Sequence, residues 1–544
     1  MKVADLIFIN GNIRTLCDGE ERKQALVVQE GNIVYVGNER EALAWKGDQT
    51  QVIDLRGKTM LPGFIESHGH PTVYGMNLLE VDCRPIETPS IESILDKLSD
   101  EVKRVPQEQW IRGWGWDDSQ LAEKRFPTRW DLDRVAPEHP VVLKRTCNHM
   151  VVVNSKALER SGITKQTRNP IGGHIDRDEK TGELTGLLQE KAQGLVNAPE
   201  YDVNQLIQGM KLAEQQFHKW GITTIHDMST QTKDLQAYQI LLEQDELNVR
   251  IRPWIWAIDQ NGWKGQLNDV LHVGMRSGFG NDMLNIQGMK FMLDGGIGGK
   301  TAALRQPYQN DTNRGILYNT VEEIEPLFFK SLQSGLRISV HAIGDRAIDV
   351  AIRSFEKAHG KLDITNMRNR IEHCIMPTNA HLEKMKKMQL IAASSIGFLY
   401  HLGDSYMKNV GAKRMKQIFP HRSFQEHGII APGNSDLPVT DGNPWAGIYA
   451  AVTRKTLSGQ TINPHEKISV SDALKAYTSD AAYSSFEEKK LGVLKPSAKA
   501  DLIVVSDDPL QIDVDQLKDL EVEQTYVNGK RVYSKSLREE KGYV

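Results

Sequence analysis

Short apolar runs that end in polar residues recur along the middle of the chain. The runs are GITTIHDM (221–228), VRIRPWIWA (249–257), IQGMKFMLDGG (286–296), LRISVHAIGD (336–345), NRIEHCI (369–375) and IIAPGNSD (429–436). Between several of them lie segments with apolar residues at helical spacing, such as VNQLIQGMKLAEQQFHKW before Gly221. Alternating strand and helix patterns predict an α/β fold with a parallel sheet, and the number of units favours a (β/α)8 TIM-type barrel.

Both ends of the chain have a different pattern, in which strand-like runs surround Asn-Gly or Gly-Asn turns. The runs are ADLIFINGNIRTL and QALVVQEGNIVYVGN near the N-terminus, and ADLIVVSDD and EQTYVNGKRVY near the C-terminus. We therefore expect residues 1–60 and 491–544 to form a small β-sandwich domain together. The barrel is expected over 61–490, with an insertion at about 75–215, after the first barrel strand, because that segment is too long for one βα unit.

Composition narrows the class of protein. The 544 residues include 67 Lys and Arg against 71 Asp and Glu, a net charge of -4, so no overall charge favours nucleic acid or an anionic membrane as a partner. Four scattered cysteines do not make a disulfide framework. There is no signal-peptide run and no apolar stretch of about 18 residues. We expect a cytoplasmic protein with a small-molecule partner, and the subunit number stays open, a homo-oligomer included.

The segment LPGFIESHGH carries two histidines, His68 and His70, at the end of an apolar run. In a strand, residues i and i+2 face the same side, so both imidazoles point to one place. The pair alone is a weak signal, since a surface turn with two incidental histidines gives the same pattern.

Four more polar residues lie in or at the end of later apolar runs: Lys290, His341, His373 and Asp436. A barrel gathers the C-terminal ends of its strands around one cup, where such folds perform their chemistry. Histidine nitrogen and carboxylate oxygen are ligands that zinc and related divalent ions accept. The pattern therefore predicts a metal site in a barrel enzyme.

The same motifs resemble a known family. The run PGFIESHGH, a later strand lysine, single histidines on two further strands and Ser-Asp together resemble the amidohydrolase superfamily of metal-dependent hydrolases. GVLKPSAKADLIVV (492–505) resembles the return of that family into its small β-domain, so the resemblance covers nearly the whole chain. Four segments resemble the branch that includes N-substituted formamide deformylases: NHMVVVNSKAL (148–158), KFMLDGGIGGKTAAL (290–304), VHAIGDRAID (340–349) and RIEHC (370–374).

The resemblance implies a divalent metal cofactor, zinc by preference, as one or two ions per subunit. His68 and His70 would bind one ion, with Asp436 beside it as a ligand and as the general acid and base. His341 and His373 would bind a second ion, and Lys290 would bridge both as an N6-carboxylated side chain. In the alternative, Lys290 stays an amine, paired with a carboxylate such as Asp294 or Asp436, and only one metal binds.

Two departures from the family pattern bear on the site. The family usually has Asp where Glu66 stands, and Ser-Arg where Gly299 and Lys300 stand. Because a point-like ammonium does not replace a planar guanidinium, Lys300 is a candidate substrate-binding residue that would hold substrate differently.

The insertion supplies three further candidate substrate-binding residues, Trp114, Trp116 and His149. The two tryptophans are spaced to share one face of a strand and would form an aromatic pocket wall. The alternative for all three is ordinary local structure or core of the insertion.

The expected reaction is hydrolysis of a non-peptide C–N bond, in an amide or an N-formyl or N-acyl derivative of a hydrophobic amine, by metal-activated water. Hydrolysis of cyclic amides or carbamates, and deamination, are alternatives on the same scaffold. A non-catalytic binding protein is the alternative outside enzymes.

Overall fold

A computed structural model describes residues 3–17, 22–118, 120–146, 150–170, 173–260 and 262–535. The chain divides into two compact units, Met1–Pro71 with Glu214–Val544, and Thr72–Ala213. The barrel and both terminal segments belong to the first unit. The domain boundaries expected near residues 60 and 490 therefore stay predictions.

Seven parallel strands, paired in chain order, form a nearly closed barrel in the first unit. They are β1 (Phe64–Gly69), β2 (Ile222–Thr230), β3 (Arg250–Trp256), β4 (Gly288–Met292), β5 (Arg337–Ala342), β6 (Arg370–His373) and β7 (Ile391–Ala393). Nearly every residue of these strands is buried, as expected for a parallel sheet that is covered on both faces.

The segment 430–437 fills the gap between β7 and β1. On one side the amide of Ala392 in β7 donates to the Ile430 carbonyl at 3.1 Å. On the other side the Asp436 amide donates to the His68 carbonyl at 3.0 Å, and the His70 amide to the Leu437 carbonyl at 2.8 Å. The eighth strand expected from IIAPGNSD is thus an irregular segment with one isolated bridge.

Helices follow the strands and bury their apolar faces against the sheet. Those after β2 to β7 are Thr232–Glu243, Leu267–His272, Val321–Gln333, Asp345–His359, Asn379–Met388 and Gly397–Val410. The remaining helices of this unit are Glu39–Leu43, Ala412–Met415, His421–Glu426, Pro444–Thr453, Val470–Ala476 and Ser479–Tyr483, with short 3-10 turns at Thr365–Met367, Pro464–Glu466 and Val514–Asp519.

The two ends of the chain meet in one sheet. Leu502–Val505 pairs antiparallel with Thr59–Pro62, in a five-stranded sheet that also contains Asn12–Ile13, Val522–Val527 and Lys530–Ser534. A four-stranded sheet consists of Leu6–Ile9, Ala25–Gln29, Asn32–Gly37 and Gln51–Asp54. The sheets share an apolar cluster, in which the Phe8 and Tyr526 rings lie 5.2 Å apart. The pairing of the termini agrees with the sequence pattern, and the sandwich arrangement stays a prediction.

The second unit is built on a six-stranded mixed sheet. In spatial order its strands are Gly173–Arg177, Leu184–Glu190, Met150–Val153, Val141–Arg145, Ile111–Trp116 and Val81–Asp82. Its helices are Ile91–Arg104, Arg129–Asp133, Ser155–Arg160 and the 3-10 turn Lys191–Leu195. Pro71–Leu79 and Val203–Lys219 lead into it and out of it. None of the helices in the described ranges combines the length and the apolar character that crossing a membrane requires.

Candidate metal centre

Four histidines and one aspartate gather at the C-terminal ends of the barrel strands. His68 lies in β1 with His70 just after it, His341 lies in β5, and His373 ends β6. The His68 and His373 rings are 4.6 Å apart, and those of His341 and His373 are 4.4 Å apart. Asp436, on the segment 430–437, completes the group. Because parallel strands end at the same rim, residues far apart in sequence share one cup.

Three of these side chains are close enough to bind one ion. One potential ligand atom each from His68, His373 and Asp436 lies within 4.8 Å of the other two. Asp436 Oδ1 also lies 3.3 Å from His68 Nε2 and 3.0 Å from His70 Nε2. Two imidazole nitrogens and a carboxylate form a donor set that zinc and similar divalent ions accept.

The hydrogen bonds around the His373 ring show whether these residues suit a metal ion. Among the described residues no group hydrogen-bonds this nitrogen. Its other nitrogen, Nδ1, lies 2.7 Å from the Ser395 hydroxyl, which donates its own proton to Asn434 Oδ1 at 2.6 Å. The Ser395 oxygen therefore accepts from Nδ1–H, and the lone pair of His373 is on Nε2. A neutral imidazole with a free, inward nitrogen is what a metal ligand requires.

Burial keeps this nitrogen available. It holds the pKa of His373 well below its usual range, helped by the neighbouring His341. Burial also lowers the pKa of His341 to about 3. Both imidazoles are thus neutral near pH 7, as ligands must be.

Glu372 fixes the orientation of the His68 ring. Its Oε2 lies 2.6 Å from His68 Nδ1, so His68 presents Nε2 to the cup. The carboxylate also accepts two hydrogen bonds from Arg370, at 2.7 and 2.9 Å, and one from the Ser339 hydroxyl at 2.8 Å. Burial works to raise the pKa of Glu372, but Arg370 and His68 together hold it well below its usual range. A carboxylate–histidine pair of this kind fixes the tautomer and increases the basicity of a metal ligand.

Asp436 is ionised for a similar reason. Burial opposes ionisation, but His68 and the hydrogen bond from His70 hold the pKa of Asp436 well below its usual range. The Nδ1 of His70 lies 2.7 Å from the Ser229 hydroxyl, so that its Nε2 faces Asp436.

Lys290 lies inside the barrel, in β4. It is 3% exposed, and burial lowers its pKa to about 8. The carboxylates of Glu372 and Asp436 act in the opposite direction and favour its charged form. Of the two partners considered from sequence, Asp294 instead accepts backbone hydrogen bonds from Ala303, Ile343 and Gly344 at 2.8, 3.0 and 2.8 Å.

Hydrogen bonds to Glu66 link β1 to the segment 430–437. It accepts hydrogen bonds from the Ser435 amide and hydroxyl and from the His68 amide, at 2.8–3.2 Å. Its side chain is wholly buried, which raises its pKa to about 8. The departure from Asp at this position thus places a carboxyl group behind the candidate ligands, where it supports the backbone of His68 and Asp436.

Of the remaining substrate-binding candidates, Lys300 lies in the first unit, and Trp114 and Trp116 lie in the second. Lys300 pairs with Asp311 at 3.0 Å and is 38% exposed. Trp116 is fully buried in the core of the second unit, where its indole donates to the Leu143 carbonyl at 3.0 Å. Trp114 is partly exposed and stacks with Arg84. His149 lies outside the described residues. A pocket role for these residues stays a prediction.

The residues that orient the candidate ligands were not predicted from the sequence; they are Glu372, Ser395, Ser229 and Asn434. One signal was available for Glu372, because Arg370 and Glu372 stand two apart in a buried strand and so face the same side. Two opposite charges on one buried face indicate a pair. For the serines and the asparagine no pattern in the chain distinguishes them from other small polar residues.

Comparisons with known proteins agree with this geometry. A model of the amidohydrolase family matches residues 51–533. YtcJ of Bacillus subtilis strain 168, which is assigned to the amidohydrolases, is 32% identical over 542 residues, covering 97% of this chain and 99% of YtcJ. The N-substituted formamide deformylase of Arthrobacter pascens is 25% identical over 548 residues, covering 98% of this chain and 99% of that enzyme.

A crystal structure of an uncharacterized metal-dependent hydrolase from Pyrococcus horikoshii OT3 has a similar fold. It superimposes with a TM-score of 0.77 at 27% identity, over 94% of this chain and 99% of that one. The family match covers most of the chain, and the similarity to YtcJ extends over nearly the full length of both proteins. This chain therefore belongs to the amidohydrolase family and is a metal-dependent hydrolase.

Proposed function

We propose that this enzyme hydrolyses N-formyl or N-acyl amines. The observation that carries the proposal is the cluster of His68, His373 and Asp436, whose candidate ligand atoms lie within 4.8 Å of one another at the mouth of the barrel. The full-length similarity to a protein named N-substituted formamide deformylase supports an acyl–nitrogen bond as the one cleaved.

The metal ligands in this proposal are His68, His70, His341, His373, Asp436 and the modified Lys290, and zinc is the proposed metal. When bound, a divalent ion of this kind lowers the pKa of water to roughly 7 and polarises a carbonyl oxygen. His373 would contribute the Nε2 that has no other partner, and His68 the Nε2 that Glu372 turns toward the cup.

Asp436 is the proposed general base and acid. Because its pKa is held well below the usual range, its carboxylate is free to accept a proton from water at neutral pH. The same oxygen would then hand the proton to the leaving nitrogen, which must depart as a neutral amine. General acid–base catalysis of this type contributes roughly 10²–10⁴-fold to the rate.

We propose that Lys290 is carboxylated. Burial favours its neutral amine and lowers its pKa to about 8, against the effect of Glu372 and Asp436. The neutral nitrogen would attack the carbon of CO2 and lose one N–H proton to solvent. The carbamate so formed exchanges a buried cation for an anion with two oxygen ligands, which suits a site with two ions.

The test is a hydrolysis screen of the purified enzyme over N-formyl and N-acyl amines, before and after chelation and after zinc is restored. The expected result is hydrolysis that is lost on chelation and regained with metal. Cyclic amides, carbamates and aminopurines belong in the same panel. Metal-dependent turnover of one of these classes, without turnover of acyclic amides, would replace the proposed substrate while keeping the enzyme class.

Lys290 needs its own measurement. Intact-protein mass spectrometry under non-denaturing conditions should show a mass increase of one CO2, which Lys290→Ala lacks. Lys290→Ala should also bind less metal, and short carboxylic acids should restore part of its activity. An unmodified mass in fully active enzyme would contradict the carbamate.

A further inference from the structure

Gln260 and Trp263, in the loop after β3, are joined by two backbone hydrogen bonds. The Gln260 amide donates to the Trp263 carbonyl at 3.0 Å, and the Trp263 amide to the Gln260 carbonyl at 2.9 Å. The base of the loop is closed by the Gln266 amide, which donates to the Trp256 carbonyl at 2.9 Å. The Gln266 side chain donates to the Thr230 carbonyl at 3.2 Å and so ties the loop to the end of β2.

This pairing determines which side chains are neighbours. Residues that exchange both backbone hydrogen bonds in an antiparallel pair stand directly opposite, and their side chains project to the same side. Gln260 and Trp263 therefore present an amide and an indole next to each other.

The indole of Trp263 borders the metal centre. Its ring centroid lies 6.4 Å from that of His70, with the two planes at 78°. On its other side the ring of Trp256 lies 4.9 Å away. Trp256 is 4% exposed, whereas Trp263 keeps part of its surface open. The open part of Trp263 is thus an aromatic surface next to a candidate metal ligand.

The polar atoms around this surface lack partners. Both Oε1 and Nε2 of Gln260 are withdrawn from solvent and make no hydrogen bond with any residue in the described part of the chain, and the same holds for Trp256 Nε1. A buried amide without partners destabilises a folded protein, since its hydrogen bonds to water are lost and not replaced. Such a group is explained when a ligand supplies the missing partners.

We propose that Trp263 and Gln260 form a recognition subsite for the substrate. The Trp263 ring takes a flat, unsaturated group of the substrate, and the Gln260 amide takes a neighbouring group that carries a hydrogen-bond acceptor and donor side by side, such as an amide or urea. The proposal rests on the proposed function, since it names the class of amide that the metal centre would receive: one substituted with an aromatic ring.

Binding of unreactive probes to the metal-loaded enzyme tests the subsite by calorimetry. Phenylurea carries both the ring and the donor–acceptor group, n-propylurea lacks the ring, and acetophenone lacks the donor. Trp263→Leu should weaken phenylurea about tenfold, because the stacking contact is lost, and n-propylurea by less than about threefold. Gln260→Leu should weaken phenylurea about tenfold and acetophenone less. Phe279→Leu, a change at a 66% exposed ring, is the matched control and should alter none of the three affinities.

Thermal unfolding measurements show whether a variant binds phenylurea weakly because it is misfolded. Gln260→Leu removes an amide without partners, so its melting temperature should equal or exceed that of the wild type. Trp263→Phe keeps a smaller ring and should bind phenylurea with an affinity between those of the wild type and Trp263→Leu. Phenylurea affinity that is unchanged in both Trp263→Leu and Gln260→Leu would overturn the subsite.

The two proposals fail separately. If the wild type hydrolyses acyclic N-acyl amines but neither variant changes phenylurea binding, the subsite is wrong and the function stands. If the variants weaken phenylurea as expected but no N-acyl amine is hydrolysed, the subsite stands and the proposed function is wrong.

Discussion

Glu372 connects the interior of the barrel to a candidate metal ligand. It receives two hydrogen bonds from Arg370 and one from Ser339, and its remaining contact is with His68 Nδ1. Because Arg370 and Glu372 both lie in β6 and are fully buried, neither can reorient without leaving a charge unpaired. The direction of the His68 ring is therefore fixed by the fold before any metal binds.

Glu372→Gln should weaken metal binding about 10–100-fold, the usual cost of disturbing a group that orients a metal ligand. The glutamine amide keeps the shape of the side chain. Only its oxygen can accept a hydrogen bond, so it cannot replace both carboxylate oxygens in the bonds from Arg370 and His68. A competition titration with a chromophoric chelator measures the change. Ser339→Ala, which removes one donor to the same carboxylate, should have a much smaller effect. Equal zinc affinity in wild type and Glu372→Gln would contradict this role.

Among individual residues, the sequence indicates the candidate metal ligands more clearly than the residues that orient them. His68 and His70 stand out because their spacing in a strand puts them on one side, and His341 and His373 because each lies at or near the end of an apolar run. Ser395 could not be found in this way, since its role depends on contacts with His373 and Asn434 that only the fold creates.

At the scale of elements, the alternating pattern predicts the parallel barrel but not its irregular closure. Pro432 has no amide to donate to a strand ladder, and Gly433 follows it, so the segment 430–437 does not form a regular strand. The irregular path of this segment brings Asp436 beside His68 and His70.

His218, near the end of the helix Val203–Lys219, should make the free energy of unfolding depend on pH. His218 Nε2 donates to the Asn248 carbonyl at 2.9 Å, next to β3, and burial lowers its pKa to about 4. Below about pH 6.5 the unfolded chain binds a proton at this residue that the folded chain does not bind until about pH 4. The free energy of unfolding should therefore fall as the pH is lowered through this window.

His218→Gln removes that proton while leaving an N–H donor. Its unfolding free energy, measured in urea on metal-free protein, should fall less steeply than that of the wild type, by up to about 1.4 kcal/mol per pH unit. The difference between the two proteins isolates His218 from the other buried histidines. Parallel pH profiles would show that this histidine is not held neutral.

At the scale of the whole molecule, the terminal sheets are joined to the barrel by a buried ion pair. Arg250 of β3 makes two hydrogen bonds to Asp501, at 2.6 and 2.9 Å, and the two side chains are 1% and 4% exposed. Asp501 also accepts from the Asn528 amide at 2.8 Å. The sequence predicts that the two ends of the chain pair with each other, but it contains no signal that they are bonded to a barrel strand.

Asp501→Ala should lower the free energy of unfolding by about 3–5 kcal/mol, because it leaves Arg250 buried without its counter-ion. Glu521→Ala, which breaks an exposed pair with Lys535 in the same part of the chain, should cost less than about 1 kcal/mol. Denaturant unfolding curves compare the two. A loss for Asp501→Ala no larger than for Glu521→Ala would mean that this pair does not hold the sheets to the barrel.

We propose that the metal of this hydrolase binds among His68, His373 and Asp436, at the C-terminal rim of the barrel. Anomalous diffraction at the zinc edge from crystals of the loaded, active enzyme tests it most directly. We expect a nitrogen of each of the two histidines and an oxygen of Asp436 to lie about 2.0–2.2 Å from a zinc peak, whether one ion or two are bound. A fully occupied peak elsewhere in the molecule, with none among these three side chains, would contradict it.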